Sequence, residues 1–507
     1  MSLARVNAFA VDGVEARRVW VEVDIRGGLP AFTVVGLGDT AVREARERVR
    51  AAIVNSGYEF PGKRITVNLA PAYLRKVGPS FDLPMAVAVL AASGQLPPED
   101  VARCAVVGEL SLTGEVRATR GTLAIAEAAE RHGLARLLLP RTRAREAALV
   151  PALDVLGVET LQEAVEVLRG DRAVAPIPEV DAATAAAEPD DVDLSDVRGH
   201  NALVPALEIV AAGGHNLFMH GPPGTGKTMI ARRLPSLLPP LTPAEAIEIT
   251  RVHSVAGMHG GEGLVQRRPF RAPHHTISAS GLVGGGAPVH PGEVTLAHHG
   301  VLFLDELSEF SRPALEALRQ PLEDGRVAIV RAQRVTVFPT RCTLVAASNP
   351  CPCGRESRAC TCSAADLARH RRRLSGPLLD RIDVCIAVAR PSAAAMRRLA
   401  APSSADVRAR IVAARERQVA RLEGTGLTCN AQLTPRLLRE LANATPAAQR
   451  RLDRVHDRSA LSARGHGRIL RVARTIADLA DSGSVRPDHV DQAASLRLDD
   501  AALAEAA

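Results

Sequence analysis

Aromatic residues are scarce: one Trp, two Tyr and nine Phe in 507 residues. Stacking of bases on a series of aromatic rings is therefore excluded as the main way of holding a nucleic acid. Lysine is almost absent too. Of 63 basic residues only Lys63, Lys76 and Lys227 are lysine. A GC-rich coding bias towards Arg explains the general trend, so each remaining Lys marks a position where Arg would not serve. Long apolar runs are missing. The longest, Leu83 to Ala92, falls far short of the ~18–20 residues of a membrane span. The first residues, Met1 to Asp12, lack the charged-then-apolar layout of a leader. A cytoplasmic chain with no membrane partner is expected.

What is present is the balance of a globular protein, 46% hydrophobic and 23% charged. The length predicts about three domains. The net charge of +7 permits a nucleic-acid partner without demanding one. Residues 1–170 alternate strand-like and helical runs and predict an α+β domain. Strands are expected at 19–25, 32–35, 65–69 and 137–139, and helices at 39–56, 82–93 and 121–132, the first capped by Asp39. Residues 171–194, rich in Pro, Ala and acid, read as a linker. Residues 195–390 have an α/β pattern, and 391–507 a helical one.

The strongest motif is Gly221-Pro222-Pro223-Gly224-Thr225-Gly226-Lys227-Thr228. It follows an apolar strand-like run and opens a helical one, the context a phosphate-binding loop requires. Glycines let backbone N–H groups close around phosphate oxygens, and the helix N-terminus favours the negative charge. Lys227 would reach the β- and γ-phosphates of ATP, and the Thr228 hydroxyl would ligate Mg²⁺. Downstream, Val301-Leu302-Phe303-Leu304 ends in Asp305-Glu306. Asp305 would help hold the Mg²⁺, and Glu306 would polarise the attacking water. A further apolar strand ends at Asn349, whose amide could orient that water or sense the γ-phosphate. An Asn before Pro350 is also a common turn residue.

Together with Gly292-Glu293-Val294-Thr295-Leu296-Ala297-His298-His299-Gly300, Asn349-Pro350-Cys351-Pro352-Cys353-Gly354 and Leu374-Ser375-Gly376-Pro377-Leu378-Leu379-Asp380-Arg381-Ile382-Asp383, these motifs resemble the magnesium-chelatase-related AAA+ ATPases of the ComM/YifB type. The resemblance runs over essentially the whole chain. It implies an α/β and α+β multidomain fold: a Lon-protease-like (S5-like) domain at 1–170, a P-loop AAA+ module at 195–390 and a helical lid at 391–507. It also implies a homo-hexameric ring. Arg381 matches the arginine finger that acts on a neighbour's γ-phosphate. Arg471 matches the second sensor in the lid, with Arg468 and Arg474 as alternatives in an uncertain helical register.

Within the N-terminal part, Gly78-Pro79-Ser80 and the 108–116 segment resemble the Lon proteolytic fold, with Ser80 where its nucleophile would lie. A Ser–Lys dyad needs a Lys as base. No Lys occurs between positions 77 and 226, and Arg120 cannot take the role because it stays protonated. Lys76, four residues before Ser80, has no clear route to it. Peptidase activity is not expected.

Cys351-Pro352-Cys353 and Cys360-Thr361-Cys362 make two C-x-C pairs. Four thiolates on one loop could hold a structural Zn²⁺, although C-x-C is tighter than the usual spacing. Solvent-facing thiols or a reversible disulfide remain open alternatives. The seven His from His253 to His299 read as packing or hydrogen-bonding residues before metal ligands.

Between Glu306 and Asn349 two short strand-like runs, 325–330 and 334–338, flank Arg331-Ala332-Gln333. On spacing alone a solvated tip and a DNA contact are equal readings. In the resemblance, and in the MCM helicases it is similar to, a hairpin here points into the ring channel. That implies Arg331 as the DNA-touching residue, with Arg326 and Arg334 at its flanks. The expected activity is an ATPase that translocates DNA, single-stranded or branched, as a branch-migration helicase in recombination or natural transformation. The alternative is a chelatase-like, ATP-driven remodeller of a partner protein.

Overall fold

A computed structural model describes residues 2–497, apart from 37, 178–191, 262, 332–333, 356–359, 375–377, 379–380, 398–400 and 459–460. Most of the expected linker and the Ala332-Gln333 tip lie outside the described residues.

Strands β1 (Ser2–Asp12) and β2 (Glu15–Arg26) form a long antiparallel hairpin. Its turn contains Gly13 at φ +68°, a left-handed conformation that glycine adopts without strain. β3 (Ala31–Val35), β4 (Arg64–Ala70), β5 (Cys104–Val106), β6 (Arg136–Pro140) and β7 (Asp154–Val158) complete a mixed seven-stranded sheet in the order β3-β4-β2-β1-β5-β6-β7. In β2 every second side chain is buried: Val19, Val21, Val23 and Ile25. The sheet is covered on both faces. Helices α1 (Thr40–Asn55) and α2 (Asp82–Ala92) build one apolar layer, which includes Leu138. Helix α3 (Thr122–Arg131) builds the other with Leu137 and Leu139, which point the opposite way along the same strand. Asp39 caps α1 as the sequence predicts, its side chain accepting the Val42 N–H at 2.9 Å.

The second sheet contains β8 (Leu217–His220), β9 (Phe270–Arg271) and β10 (Val301–Leu304). Between β10 and the next sheet strand, the chain makes a separate antiparallel hairpin of β11 (Arg326–Arg331) and β12 (Arg334–Pro339). The sheet then takes up β13 (Thr343–Ser348) and β14 (Val384–Ala387). Its order is β9-β10-β13-β8-β14, and every pair is parallel. β10 and β13 are buried along their whole length, as parallel strands covered on both faces must be.

Helix α4 (Val204–Gly213) precedes β8, α5 (Lys227–Leu237) follows it, and α6 (Pro243–Ala256) comes next. Helix α7 (Ala364–Leu374) stands between β13 and β14. Helices α8 (Ser404–Arg421) and α9 (Ala463–Leu479) share one apolar core with this sheet, Ile411, Val472 and Ile476 joining Val210, Leu217 and Met219. A buried polar knot stiffens the C-terminal helices, with Asp478 receiving Arg421, Arg474 and Asn430.

The two sheets are fastened through α6. Arg251 pairs with Glu127 on α3 at 2.7 Å, and the Gly121 N–H donates to the Ser254 carbonyl at 3.2 Å. Glu146, fully buried, accepts the Ser254 hydroxyl and the Leu123 N–H. The β1–β2 turn also leans on β12: a Cβ on Gly13 would stand 2.9 Å from Thr336 Cγ2.

Candidate functional site

Because β8, β10 and β13 are adjacent and parallel, the loops at their carboxyl ends open on one edge of the sheet. After β8 the chain turns through the 221–226 glycine loop. A Cβ on Gly221 would come within 2.1 Å of the Val388 carbonyl oxygen, so a side chain there has no room. Gly224 and Gly226 have φ of +73° and +89°. Gly226 is the N-cap of α5 and supplies no side-chain cap, which leaves the first-turn N–H groups available to an anion.

Lys227 folds back over this loop. Its Nζ donates to Gly221 O at 2.6 Å, Pro222 O at 2.8 Å and Asn349 Oδ1 at 3.1 Å. Burial lowers its pKa, while Asp305 and Glu306 act in the opposite direction. The Thr228 hydroxyl donates to Asp305 Oδ2 at 2.7 Å, and the other Asp305 oxygen accepts the Glu306 N–H at 2.9 Å. Glu306 has φ +51°, in the left-handed region that a non-glycine residue occupies at a cost. Its carboxylate lies 3.5 Å from His275 Nδ1. The Asn349 carbonyl accepts His370 Nε2 at 3.0 Å.

The structure thus brings Lys227, Thr228, Asp305, Glu306 and Asn349 together. Their donor set fits ATP and Mg²⁺: an uncapped helix end and a lysine for phosphate oxygens, a hydroxyl–carboxylate pair for a hard cation. The other residues singled out by the sequence lie apart from this group. Arg381 donates to Glu323 and, through Nε, to Arg319 O at 3.2 Å, and Glu323 is shared with Arg464. Arg471 Nε donates to Leu433 O at 2.9 Å. Arg474 is buried on Asp478 and backbone carbonyls, and Arg468 Nε stands 4.0 Å from Asp383. Ser308 O accepts Arg373 nearby, a pairing that no motif in the sequence signals.

Arg331 ends β11 and pairs with Arg334, the first residue of β12, so it stands before the turn rather than in it. Arg326 pairs with Pro339 at the hairpin base, five register steps away. The exposed face between them carries Val330, Val335 and Val337. In the segment that follows β4, Lys76 is fully buried with Nζ on Pro71 O, and burial pushes its pKa down to about 8. Ser80 lies in a 3-10 turn, Pro79–Phe81.

The sulfurs of Cys351, Cys353, Cys360 and Cys362 all lie within 4.8 Å of one another, a cluster that could hold a metal. A second group, Glu248, His298 and His299, is equally close. There His298 Nδ1 accepts the Arg341 N–H at 3.0 Å, so the neutral ring carries its proton on Nε2, which donates to Glu248 at 2.9 Å. That ring keeps no lone pair for a metal, and the group is a hydrogen-bonded tie between α6 and the turn before β10. The sequence offers no signal for it, because its members sit some fifty positions apart.

Three family descriptions match the chain. Residues 193–396 match "Magnesium chelatase, subunit ChlI", residues 21–143 match "Subunit ChlI of Mg-chelatase", and residues 401–497 match "Magnesium chelatase, subunit ChlI C-terminal". The chain is 42% identical over 506 residues to the uncharacterized protein YifB of Escherichia coli, covering 99% of this chain and 98% of that one. It is 41% identical over 502 residues to the competence protein ComM of Haemophilus influenzae, covering 98% of each. A shorter match, 27% over 206 residues, links 38% of this chain to 20% of the DNA replication licensing factor Mcm2 of Drosophila melanogaster. Among the described residues no helix is long and apolar enough to cross a membrane. With a phosphate loop, an acidic strand end and a polar strand end on one sheet edge, and relatives matched along their full length, this chain belongs to the magnesium-chelatase-related family of ComM and YifB.

Proposed function

We propose that the chain is a cytoplasmic, ring-forming AAA+ ATPase that couples ATP hydrolysis to movement along single-stranded or branched DNA, as a branch-migration helicase. The observation that carries the ATPase part is the meeting of Lys227, Thr228, Asp305, Glu306 and Asn349 on one sheet edge. The names of two relatives, a competence protein and a replication licensing factor, support the DNA part.

Gly221 to Thr228 would bind the phosphates, with Lys227 turning from its carbonyl partners to the β- and γ-oxygens. Mg²⁺ on Thr228 and Asp305 would neutralise phosphate charge. Glu306 would take a proton from the attacking water, and Asn349 would orient that water. Arg381 would complete the γ-phosphate site of a neighbouring subunit in a homo-hexamer, and Arg471 would act as sensor from the lid. In this reading residues 1–170 are an inactive Lon-like scaffold, 171–194 a linker, 195–390 the AAA+ module and 391–507 the lid. Arg331, with Arg326 and Arg334, would touch DNA phosphates in the channel. The four cysteines would hold a structural Zn²⁺.

The chelatase matches along the chain favour a second reading, an ATP-driven remodeller of a partner protein. ATP hydrolysis measured alone, with single-stranded DNA and with branched DNA separates the two. A rate that rises with DNA is expected. A rate indifferent to every DNA tested would refute the translocase.

A further inference from the structure

The cysteine loop leaves β13 directly beyond Asn349, and its sulfurs are spaced for a metal. Cys351 and Cys353 are 3.3 Å apart, Cys353 and Cys360 3.7 Å, and Cys360 and Cys351 3.6 Å. A disulfide would bring two sulfurs to about 2.0 Å. A tetrahedral ion at about 2.3 Å from each sulfur sets them ~3.8 Å apart, close to the spacing found. Among the described residues no carboxylate or imidazole joins the group, so the donor set selects a soft, four-coordinate ion such as Zn²⁺.

The loop touches the nucleotide site at three points. Asn349, which meets Lys227 Nζ at 3.1 Å, is two residues before Cys351. Gly354, at φ +68°, sits so close to the phosphate loop that a Cβ would stand 3.1 Å from Pro223. After Cys362 the chain caps α7, the Asp366 N–H donating to the Ser363 hydroxyl at 3.2 Å, and α7 sends His370 back to the Asn349 carbonyl at 3.0 Å. The thiolate cluster therefore closes a loop of chain that begins and ends on Asn349 and leans on Pro223.

We propose that the zinc held by Cys351, Cys353, Cys360 and Cys362 is a positioning ion for ATP hydrolysis: it fixes the loop that aims Asn349. The proposal rests on the zinc reading given above and adds its consequence for the ATP site. Without the ion, weak thiol hydrogen bonds take the place of metal–thiolate bonds across the loop, and Asn349 is aimed less firmly. Displacement of a positioning group by about 1 Å is enough to slow a reaction by ~10²-fold.

The test uses the full chain without DNA, so that the DNA reading stands or falls separately. Zinc content is measured by elemental analysis, ATP affinity with a fluorescent analogue, and kcat and KM by phosphate release. The purified protein is expected to carry about one Zn²⁺ per chain. Cys351→Ser combined with Cys353→Ser, or removal of the metal with a chelator, should lower kcat by ~10-fold or more while ATP affinity stays within ~3-fold. Zinc added back to the stripped protein should restore kcat. Removal of the metal from the wild-type protein needs no substitution, so this arm stands even where the double variant fails to fold. Asn349→Ala should reproduce the kcat loss with zinc still bound. Zinc-free protein with an unchanged kcat would overturn the proposal, and so would wild-type protein prepared without chelator that contains no zinc.

Discussion

At the scale of single residues, Lys227 and Glu306 divide the work between holding phosphate and drawing a proton from water. Glu306→Gln keeps the size of the side chain and removes the base. It is expected to bind ATP normally and to hydrolyse it ~10²-fold more slowly or worse, as measured by phosphate release under saturating ATP. Lys227→Ala should instead weaken nucleotide binding itself, read as a loss of fluorescent-analogue affinity. Equal defects in binding for both variants would contradict the division. A second residue-scale expectation concerns acid. Burial pushes the His298 imidazole down to about 4, below its ordinary 6.5. The unfolded chain then binds a proton that the folded chain refuses, so stability present above 6.5 is lost as the pH falls towards 4. Glu248, held below the usual carboxylate range by hydrogen bonds from His298 and His299, shifts stability in the same sense at lower pH. His298→Gln should therefore show a smaller drop in Tm than wild type between about pH 7 and about pH 5. An identical drop would mean that the acid response arises elsewhere. The two cases differ in how far the sequence reveals them. Lys227 is legible because phosphate chemistry forces glycines and a lysine into a fixed local spacing. The Glu248–His298 tie is not, since it joins a helix and a turn through space and uses residue types that are common everywhere.

At the scale of elements, the β11–β12 hairpin stands out of the sheet whose strands flank it. Its strands are readable from their alternation, but Arg331 belongs to the ladder rather than to the tip the spacing suggests. Arg331 and Arg334 face each other across the end of that ladder. Arg331 is exposed there, where a phosphate could reach its guanidinium. Arg331→Ala is expected to leave basal ATPase nearly intact and to remove its stimulation by DNA. The slope of log affinity against log salt should also become shallower by about 1 for each phosphate no longer neutralised. Normal unwinding of branched DNA by this variant would exclude the hairpin as the gripping element. The parallel sheet illustrates the complementary limit of sequence reading. Each long strand is visible as an apolar run, yet the order β9-β10-β13-β8-β14 is not. It is that order which sets β13, with Asn349 at its end, beside the strand of the phosphate loop.

At the scale of the whole molecule, the placement of Arg381 bears on assembly. Its guanidinium is held by Glu323 and the Arg319 carbonyl, away from the Lys227 site of its own chain. An arginine finger supplied to a neighbour is typically worth ~10³-fold or more in rate. Arg381→Ala should therefore retain ATP binding and lose hydrolysis. Mixed with Glu306→Gln subunits it should regain part of the rate, because some interfaces in a mixed ring pair an intact base with an intact finger. Absence of rescue in rings shown to contain both subunits would count against a finger acting in trans.

The approach of Gly13 to β12 seats the N-terminal sheet against the hairpin. Gly13 carries no side chain, and Thr336 already stands where a Cβ would go. The rest position of the hairpin is therefore set partly by a distant, non-catalytic layer. Gly13→Ala would press on Thr336 and strain a left-handed turn at once, shifting that rest position. The expected signature is DNA unwinding that falls while basal ATP turnover holds, so that more ATP is consumed per base pair opened. An unaltered ratio of ATP consumed to base pairs opened would show that this contact does not bear on unwinding.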